Sequence, residues 1–149
     1  MKIALASDHA GFALKQGIIQ FLNQQGIAHQ DFGCGPEEVV DYVDFAVKAV
    51  EQVGSGAFDR ALLFCGTGMG MAMVANKFRG IRATPCWDEY TAEMSRKHND
   101  SNCLTLGGRI LPLDEASAIV KIWLETDFEG GRHLGRINKI REIEKKNFK

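Results

Sequence analysis

The sequence lacks any long apolar segment. No apolar run approaches the roughly 20 residues needed to cross a bilayer. The N-terminal stretch turns polar at Ser7 and Asp8, too early for a signal peptide. Paired cysteines are also missing: the four cysteines stand 31, 21 and 17 residues apart, without a C-x-x-C pair. We therefore expect a cytoplasmic protein with free thiols and neither a zinc knuckle nor a redox dithiol.

Neither sign of charge dominates the chain. Lys and Arg number 18 against 19 Asp and Glu, a formal net charge of −1. This balance argues against a generally basic surface for nucleic acid or an anionic membrane. The charge is nevertheless uneven, because residues 132–149 hold seven basic and two acidic residues. A local anion-binding region thus remains compatible with the composition.

Short apolar segments alternate with segments of helical periodicity. Such alternation predicts βαβ units, a mostly parallel sheet and helices on both of its faces, and the doubly wound open sheet is the specific prediction. No repeat or linker divides residues 1–149, so we expect one domain. The predicted strands are 2–7, 27–32, 60–65, 81–84 and 103–106. The predicted helices begin near Leu14, Phe45, Met71, Asp88 and Leu113, and the last spans about 130–147.

In an open α/β sheet the ligand binds outside the carboxyl ends of the strands. The residues that follow three predicted strands there are Asp8-His9, the loop 66–70 and Gly108-Arg109. In the loop, Gly66, Gly68 and Gly70 alternate between a strand and a helix, so its backbone N–H groups can converge on an anion. The loop matches neither G-x-G-x-x-G nor a Walker sequence, which disfavours a dinucleotide or a nucleoside triphosphate. A merely tight turn is the alternative.

Five polar side chains are candidates for the chemistry. Cys65 ends the buried third strand just before the N–H-rich turn, a position that favours a thiolate acting as base or nucleophile, although most cysteines are simply core residues. His98 and His9 are possible acid–base groups, but a single histidine is more often structural. Arg132 and Arg136 lie four residues apart on one helical face, which suits a phosphate, whereas a solvated helix is the alternative for the lysines that follow.

Six motifs of this chain together resemble the ribose-5-phosphate isomerase B family, which includes the subunits of galactose-6-phosphate isomerase. They occur in order along essentially the whole chain, and their combination is specific although each alone is weak. The motifs are Ser7-Asp8-His9-Ala10-Gly11, Cys65-Gly66-Thr67-Gly68-Met69-Gly70, Ala75-Asn76-Lys77, Gly80-Ile81-Arg82-Ala83, Ser95-Arg96-Lys97-His98-Asn99-Asp100 and Glu129-Gly130-Gly131-Arg132-His133.

The resemblance implies an αβα sandwich with a five-stranded parallel sheet, in a homodimer or a dimer of dimers whose sites draw on both subunits. No metal or cofactor is implied, and we expect no nucleic-acid or membrane partner. The last helix, about 130–147, is expected to pack across the dimer. The implied reaction interconverts an aldose phosphate and a ketose phosphate through a cis-enediolate.

The resemblance also implies residue roles. Cys65 is the base between C1 and C2, Thr67 assists proton exchange, and His98 assists ring opening. The N–H groups from Gly66 to Gly70 stabilise the enediolate. The implied substrate-binding residues are Asp8 for the sugar hydroxyls, His9, Arg132 and Arg136 for the phosphate, and Gly66, Gly68, Met69, Gly70, Asn99, Arg109 and Tyr42 around them.

Two positions depart from the family pattern. Val43 stands where a proline commonly follows the tyrosine, so the loop carrying Tyr42 could differ in shape, and Trp87 is an unexpectedly large ring after the fourth strand. Ribose 5-phosphate is the leading substrate. A hexose phosphate, such as allose 6-phosphate or galactose 6-phosphate, is the alternative within the family. A non-catalytic sugar-phosphate-binding module is the alternative from another class.

Overall fold

A computed structural model describes residues 1–149, and its centre is one sheet of five parallel strands. The strand order is β2-β1-β3-β5-β4, with every neighbouring pair parallel. Non-consecutive neighbours mean that helices cross over the sheet between strands, as predicted. The strands are β1 (Lys2–Ser7), β2 (Ala28–Asp31), β3 (Arg60–Cys65), β4 (Ala83–Pro85) and β5 (Cys103–Gly107).

Helices cover both faces of this sheet, giving the predicted αβα sandwich. Alternate residues of each strand point to opposite faces: Leu62 and Phe64 pack against α1, α4 and α5, whereas Ala61 and Leu63 pack against α2 and α3. Each face thus has its own hydrophobic core. The helices are α1 (Phe12–Gln24), α2 (Tyr42–Gly54), α3 (Met69–Ala75), α4 (Glu89–Asn99), α5 (Leu113–Glu125) and α6 (Arg132–Asn147).

The last helix, α6, lies along the amino edge of the sheet. Its first turns are held by His133 and Ile137, which are its two buried residues. Near its far end, Gly80 N–H, in the segment before β4, donates a hydrogen bond to Glu144 Oε1 at 3.1 Å. Most of its other side chains are exposed.

The predicted elements are all present, and the differences lie at their ends. The third strand has its predicted bounds, and Asp88 caps α4 as predicted by accepting a hydrogen bond from Thr91 N–H at 2.7 Å. However, α2 begins at Tyr42 instead of Phe45, because the Asp41 side chain caps it by accepting from Val43 N–H. Tyr42 is therefore in the first helical turn and not in a loop. The third helix runs 69–75 instead of 71–77, and β4 starts at residue 83 instead of 81.

The four cysteines are unpaired, as expected, and all four are buried. None of the helices has the length and hydropathy of a membrane span.

The strand order reverses between β1 and β3. From β1 the chain continues through α1 on one face to β2, whereas from β3 it continues through α3 on the other face toward β4. Ser7 pairs with Phe64, so Asp8 and Cys65 leave the two strands at the same level. The loops after these strands diverge and leave a crevice, which is the usual ligand site of a doubly wound sheet.

Candidate active site

A cleft of about 360 Å³ opens at this crevice. Its lining combines one carboxylate, one thiol, two hydroxyls and one guanidinium with the backbone of the glycine loop. This is a polar floor with few apolar side chains. The lining residues are Asp8, Tyr42, Cys65, Gly66, Thr67, Gly70, Met73 and Arg109, and all but Met73 were predicted from the sequence.

The Cys65 thiol faces the turn that follows its strand. Its Sγ accepts a hydrogen bond from Gly68 N–H at 3.1 Å, and the residue is 5% exposed. An N–H group directed at sulfur stabilises negative charge there. The turn therefore supplies the thiol sulfur with a fixed backbone donor.

Gly68 has no substitute at this turn. Its φ is +83°, a conformation that side chains rarely adopt, and a Cβ atom would lie 3.1 Å from backbone atoms of Leu106. The positive φ and the close approach to Leu106 both result from the short turn that directs the Gly68 N–H group toward Cys65. The loop is therefore more than a tight connection, because its glycine is what directs the donor.

The neighbouring loop after β5 is bonded to the glycine loop. Gly108 N–H donates to the Cys65 carbonyl at 2.7 Å, and Arg109 N–H donates to the Gly66 carbonyl at 3.1 Å. A Cβ at Gly66 would lie 3.3 Å from Arg109 Nη1, so the guanidinium lies beside the glycine loop. These bonds place a cation at the cleft without a salt-bridge partner in the chain.

Asp8 is buried at the floor of the cleft, where it is 7% exposed. One carboxylate oxygen accepts a hydrogen bond from Gly11 N–H at 3.0 Å, which makes the turn into α1. No other hydrogen bond in the chain uses this carboxylate, so it can accept further hydrogen bonds from a molecule in the cleft. Thr67 is exposed, and its Oγ1 accepts from Met69 N–H at 3.3 Å.

Besides Gly68, two predicted residues lie beside the cleft and not in its lining. The His9 ring is exposed, and its Nδ1 accepts a hydrogen bond from Val40 N–H at 3.3 Å, which ties it to the segment before α2. Met69 points away and lines an adjacent apolar pocket of about 320 Å³ with Trp87 and Ile110. Thr67 lies between the two cavities, since it lines both.

His98 and Asn99 lie at the other edge of the sheet, at the end of α4. There Asn102 N–H donates to the Arg82 carbonyl, and Ala61 N–H donates to Asn102, so this turn adjoins the amino ends of the strands. The Asp100 carboxylate, two residues further along, binds Arg82 and Arg96 at 3.2 and 3.0 Å and not the His98 imidazole.

The His98 ring instead stacks on His133, in the first turn of α6. The ring centroids are 4.2 Å apart and the planes are inclined by 15°. Burial lowers the pKa of His133, and the positive charges of His98, Arg132 and Arg136 lower it further, against Glu129. The two residues are 35 positions apart, so no local pattern reveals the pair.

Glu129 joins this pair to form a cluster whose potential ligand atoms lie within 4.8 Å of one another. Its Oε1 is 3.7 Å from His133 Nε2, beyond hydrogen-bond distance. A metal ion lies in the plane of each imidazole that binds it, and two nearly parallel stacked rings share no such point nearby. In the arrangement present, the cluster is a histidine stack and not a metal centre.

Arg132 and Arg136 extend from the start of α6 into solvent at the same edge. Neither forms a salt bridge within the chain. Both are therefore available to an anion, at the positive end of the helix dipole.

The predicted residues thus fall into two groups on opposite edges of the sheet. Cys65 is at the carboxyl edge, whereas His98, Asn99, Arg132 and Arg136 are at the amino edge. The six residues of β3, at about 3.3 Å per residue, set a separation of about 20 Å. A single copy of the chain does not bring the two groups to one small substrate.

Comparison with known proteins identifies the family. A family model described as Ribose/Galactose Isomerase matches residues 3–140. Ribose-5-phosphate isomerase B from Escherichia coli is 43% identical over 145 residues, covering 97% of both chains. A ribose-5-phosphate isomerase B structure from Clostridium thermocellum superposes with a TM-score of 0.96 at 51% identity, covering 98% of this chain and 99% of that one.

Relatives with other substrates are also similar. The D-erythrulose-4-phosphate isomerase of Pectobacterium atrosepticum is 38% identical over 141 residues, covering 94% of this chain and 93% of the relative. The common element among these names is a phosphorylated sugar that is isomerised. The chain belongs to the ribose/galactose isomerase family and is a sugar-phosphate isomerase.

Proposed function

We propose that the protein interconverts ribose 5-phosphate and ribulose 5-phosphate through a cis-enediolate. The observation that carries the proposal is the Cys65 thiol with the Gly68 N–H directed at it, at the point where the strand order reverses. The names of the relatives from E. coli and C. thermocellum support the pentose substrate.

In the proposed reaction Cys65 acts as a thiolate base. It removes the proton from C2 of the open-chain aldose phosphate, and the electron pair moves onto the carbonyl oxygen to give the enediolate. The same proton is then delivered to C1 as the C2 oxygen becomes the carbonyl, with Thr67 relaying protons between the oxygens. The oxidation at C2 balances the reduction at C1, so no external oxidant is consumed.

Fixed donors around the cleft suit the charge that develops. Backbone N–H groups of the glycine loop stabilise an oxyanion without having to reorganise, and the Arg109 guanidinium adds a positive charge beside them. Asp8 accepts hydrogen bonds from the sugar hydroxyls, and Tyr42 closes the cleft beside Gly70.

The remaining roles require a second copy of the chain. Ribose 5-phosphate is mostly a closed furanose, and a base is needed to open it before Cys65 can act. We assign ring opening to His98 of the second copy with Asn99 beside it, and phosphate binding to Arg132 and Arg136 of that copy together with His9. The separation of about 20 Å between the two edges supports this assignment.

Mixing two inactive variants tests the shared site. Cys65→Ala removes the group that one copy contributes to each shared site, and His98→Asn removes the group that the other copy contributes. A mixed dimer, with one subunit of each variant, contains one intact site. Random exchange of subunits should restore about a quarter of the wild-type activity, because half of the dimers are mixed and each has one of two sites intact. A mixture that stays inactive after subunit exchange is demonstrated would contradict a site shared between copies.

Substrate comparison tests the choice of sugar. The relative that isomerises a four-carbon phosphate shows that similar chains act on other lengths, and the hexose phosphates are the other candidates. Rates with ribose 5-phosphate, allose 6-phosphate and D-erythrulose 4-phosphate should favour the pentose. A preference for a sugar with another number of carbons would overturn the assignment of ribose 5-phosphate as the substrate. Solvent deuterium exchange at C2 would still distinguish an isomerase from a binding module.

A further inference from the structure

The His98 imidazole is held in place by one neighbour. It makes no side-chain hydrogen bond in the chain, and its defined partner is the stacked ring of His133, 4.2 Å away. His98 is half-buried, whereas His133 is 3% exposed. A side chain with rotatable bonds and no hydrogen bond has its orientation set by the surfaces that it packs against.

His133 itself is firmly placed. Its backbone N–H donates to the Gly130 carbonyl at 3.1 Å, and one turn later Ile137 is 1% exposed. The segment before α6 is tied to α4 by a hydrogen bond from Glu129 N–H to the Lys97 carbonyl at 3.1 Å, adjacent to His98. The backbone segments that carry the His133 and His98 rings are thus bonded to each other.

We propose that His133 is a positioning residue, whose ring face holds the His98 imidazole in the orientation in which it opens the sugar ring. This inference rests on the proposed function, because it assumes that His98 performs that step. His133 does not touch the substrate in this scheme, since it is buried behind His98 and its Nε2 has no hydrogen-bond partner.

The charges around the stack favour the neutral form of the His133 ring. The groups that face His133 are His98 from α4, Glu129 from the preceding segment, and Arg132 and Arg136 from α6. Burial is the main cause that lowers the pKa of His133, and the three cationic neighbours act in the same direction. A neutral His133 ring can stack on His98 whether His98 is protonated or not, whereas two stacked imidazolium ions would repel each other.

Three variants separate the ring face from other roles of His133. His133→Phe keeps a flat ring and removes both nitrogens, and His133→Leu keeps an apolar side chain but removes the flat face. Ile137→Ala is the matched control, since it perturbs the same buried side of α6 one turn further along. Thermal unfolding and the dimer fraction of each variant establish that it is folded before it is assayed.

Two assays separate ring opening from proton transfer. Turnover of ribose 5-phosphate requires the furanose to open. Ribulose 5-phosphate is open-chain because its O5 carries the phosphate, so deuterium exchange from solvent into its C1 reports Cys65 alone. We expect His133→Leu to lower kcat/KM for ribose 5-phosphate by about 10- to 100-fold and to leave the exchange nearly unchanged. His133→Phe and Ile137→Ala should remain close to wild type in both assays.

Three results would overturn the proposal. They are a folded His133→Phe protein that loses ring opening, a His133→Leu protein that loses neither activity or both equally, and an Ile137→Ala protein that shows the same selective loss. Because the His133→Phe result counts on its own, the proposal stays testable if the leucine variant does not fold. Failure of the proposed function is distinct, since the wild-type protein would then show no exchange into ribulose 5-phosphate.

Discussion

The ring of Tyr42, in the first turn of α2, packs directly on Gly70 in the first turn of α3. A Cβ atom at position 70 would lie 2.6 Å from Cε2 of that ring, which is closer than such atoms approach in proteins. The contact joins two walls of the cleft, since both residues line it. The lack of a side chain at position 70 is therefore what allows the tyrosine to close this side of the site.

Gly70→Ala should displace Tyr42 and lower activity. We expect kcat/KM to fall by about tenfold or more, because small displacements of groups that orient a substrate cost that much. The free energy of unfolding should change little, since the gain of up to about 1 kcal/mol in helix propensity offsets the strain. Steady-state kinetics and urea unfolding measure the two effects.

Gly54→Ala is the control for this substitution. Gly54 ends the same α2 helix, and a Cβ there would meet nothing within 4 Å. Its activity should equal that of the wild type. A Gly70→Ala protein with full activity would show that the position of Tyr42 does not matter for turnover.

The valine that departs from the family pattern contributes a hydrogen bond to the start of α2. Val43 N–H donates to Asp41 Oδ1 at 2.9 Å, and a proline at that position would have no N–H group to donate. We expect Asp41→Ala to lower the free energy of unfolding by about 1 kcal/mol, the usual cost of losing such a cap. Chemical denaturation of the single variants measures this cost.

A double-mutant cycle identifies the hydrogen bond itself. In a Val43→Pro background, Asp41→Ala should cost much less, because the donor is already gone. Asp41→Asn keeps an acceptor oxygen and should remain near wild type in both backgrounds. Additive costs in the cycle would mean that Asp41 stabilises the helix in some other way, such as through its charge alone.

How far the sequence predicted this structure depended on whether the decisive contacts were local. The Cys65 strand and its glycine loop are local: an apolar run leads into alternating glycines, and the structure has the strand at its predicted bounds. The start of α2 was missed because Asp41 and Tyr42 stand outside the apolar stripe by which that helix was recognised. A cap depends on one side-chain hydrogen bond, which periodicity does not reveal.

The histidine stack and the role of Met73 depend on tertiary structure. His98 and His133 meet only because the end of α4 and the start of α6 adjoin at the amino edge of the sheet. Met73 lines the cleft because α3 starts immediately after the glycine loop. Its position three residues after Gly70, which also lines the cleft, was the available signal. The separation of Cys65 from His98 likewise follows from the sheet, because β3 ends at Cys65 whereas α4 returns the chain to the amino ends of the strands.

The lowered pKa of His133 predicts a pH dependence of stability. A histidine kept neutral in the folded state binds its proton more readily in the unfolded state, where its pKa has the ordinary value of 6.5. The unfolded chain then carries more protons, so the free energy of unfolding falls as the pH decreases from about 7 toward 5. Above pH 7 both states are neutral and the effect vanishes.

His133→Phe should flatten this part of the stability curve. The difference between wild type and variant reports His133 together with its charged neighbours His98 and Glu129, because the more distant ionisable groups are common to both. Urea unfolding at pH 5, 6, 7 and 8 measures it. A difference that does not change with pH would mean that His133 binds protons equally in the folded and unfolded states.

Cys65 provides the most direct test of the chemistry. Cys65→Ala should lower turnover by about 10²- to 10⁴-fold, the usual contribution of a general base, and should abolish deuterium exchange into ribulose 5-phosphate. Binding of a sugar phosphate should persist, because the substitution leaves unchanged the two arginines, Arg132 and Arg136, that are proposed to bind the phosphate. Cys65→Ser keeps the size and a weak donor but lacks a readily ionised group, so it should be nearly as inactive.

Thiol labelling adds a test that needs no substitution. Iodoacetamide should inactivate the wild-type enzyme by alkylating Cys65, and a bound substrate analogue should protect it. Burial raises the pKa of Cys86 and of Cys103, so these two thiols remain protonated and react slowly. Mass spectrometry of the labelled protein locates the modified residue. Inactivation without label on Cys65, or full activity of a Cys65→Ala protein, would remove the thiol from the mechanism and leave Thr67 and Asp8 as the polar groups of the cleft to test next.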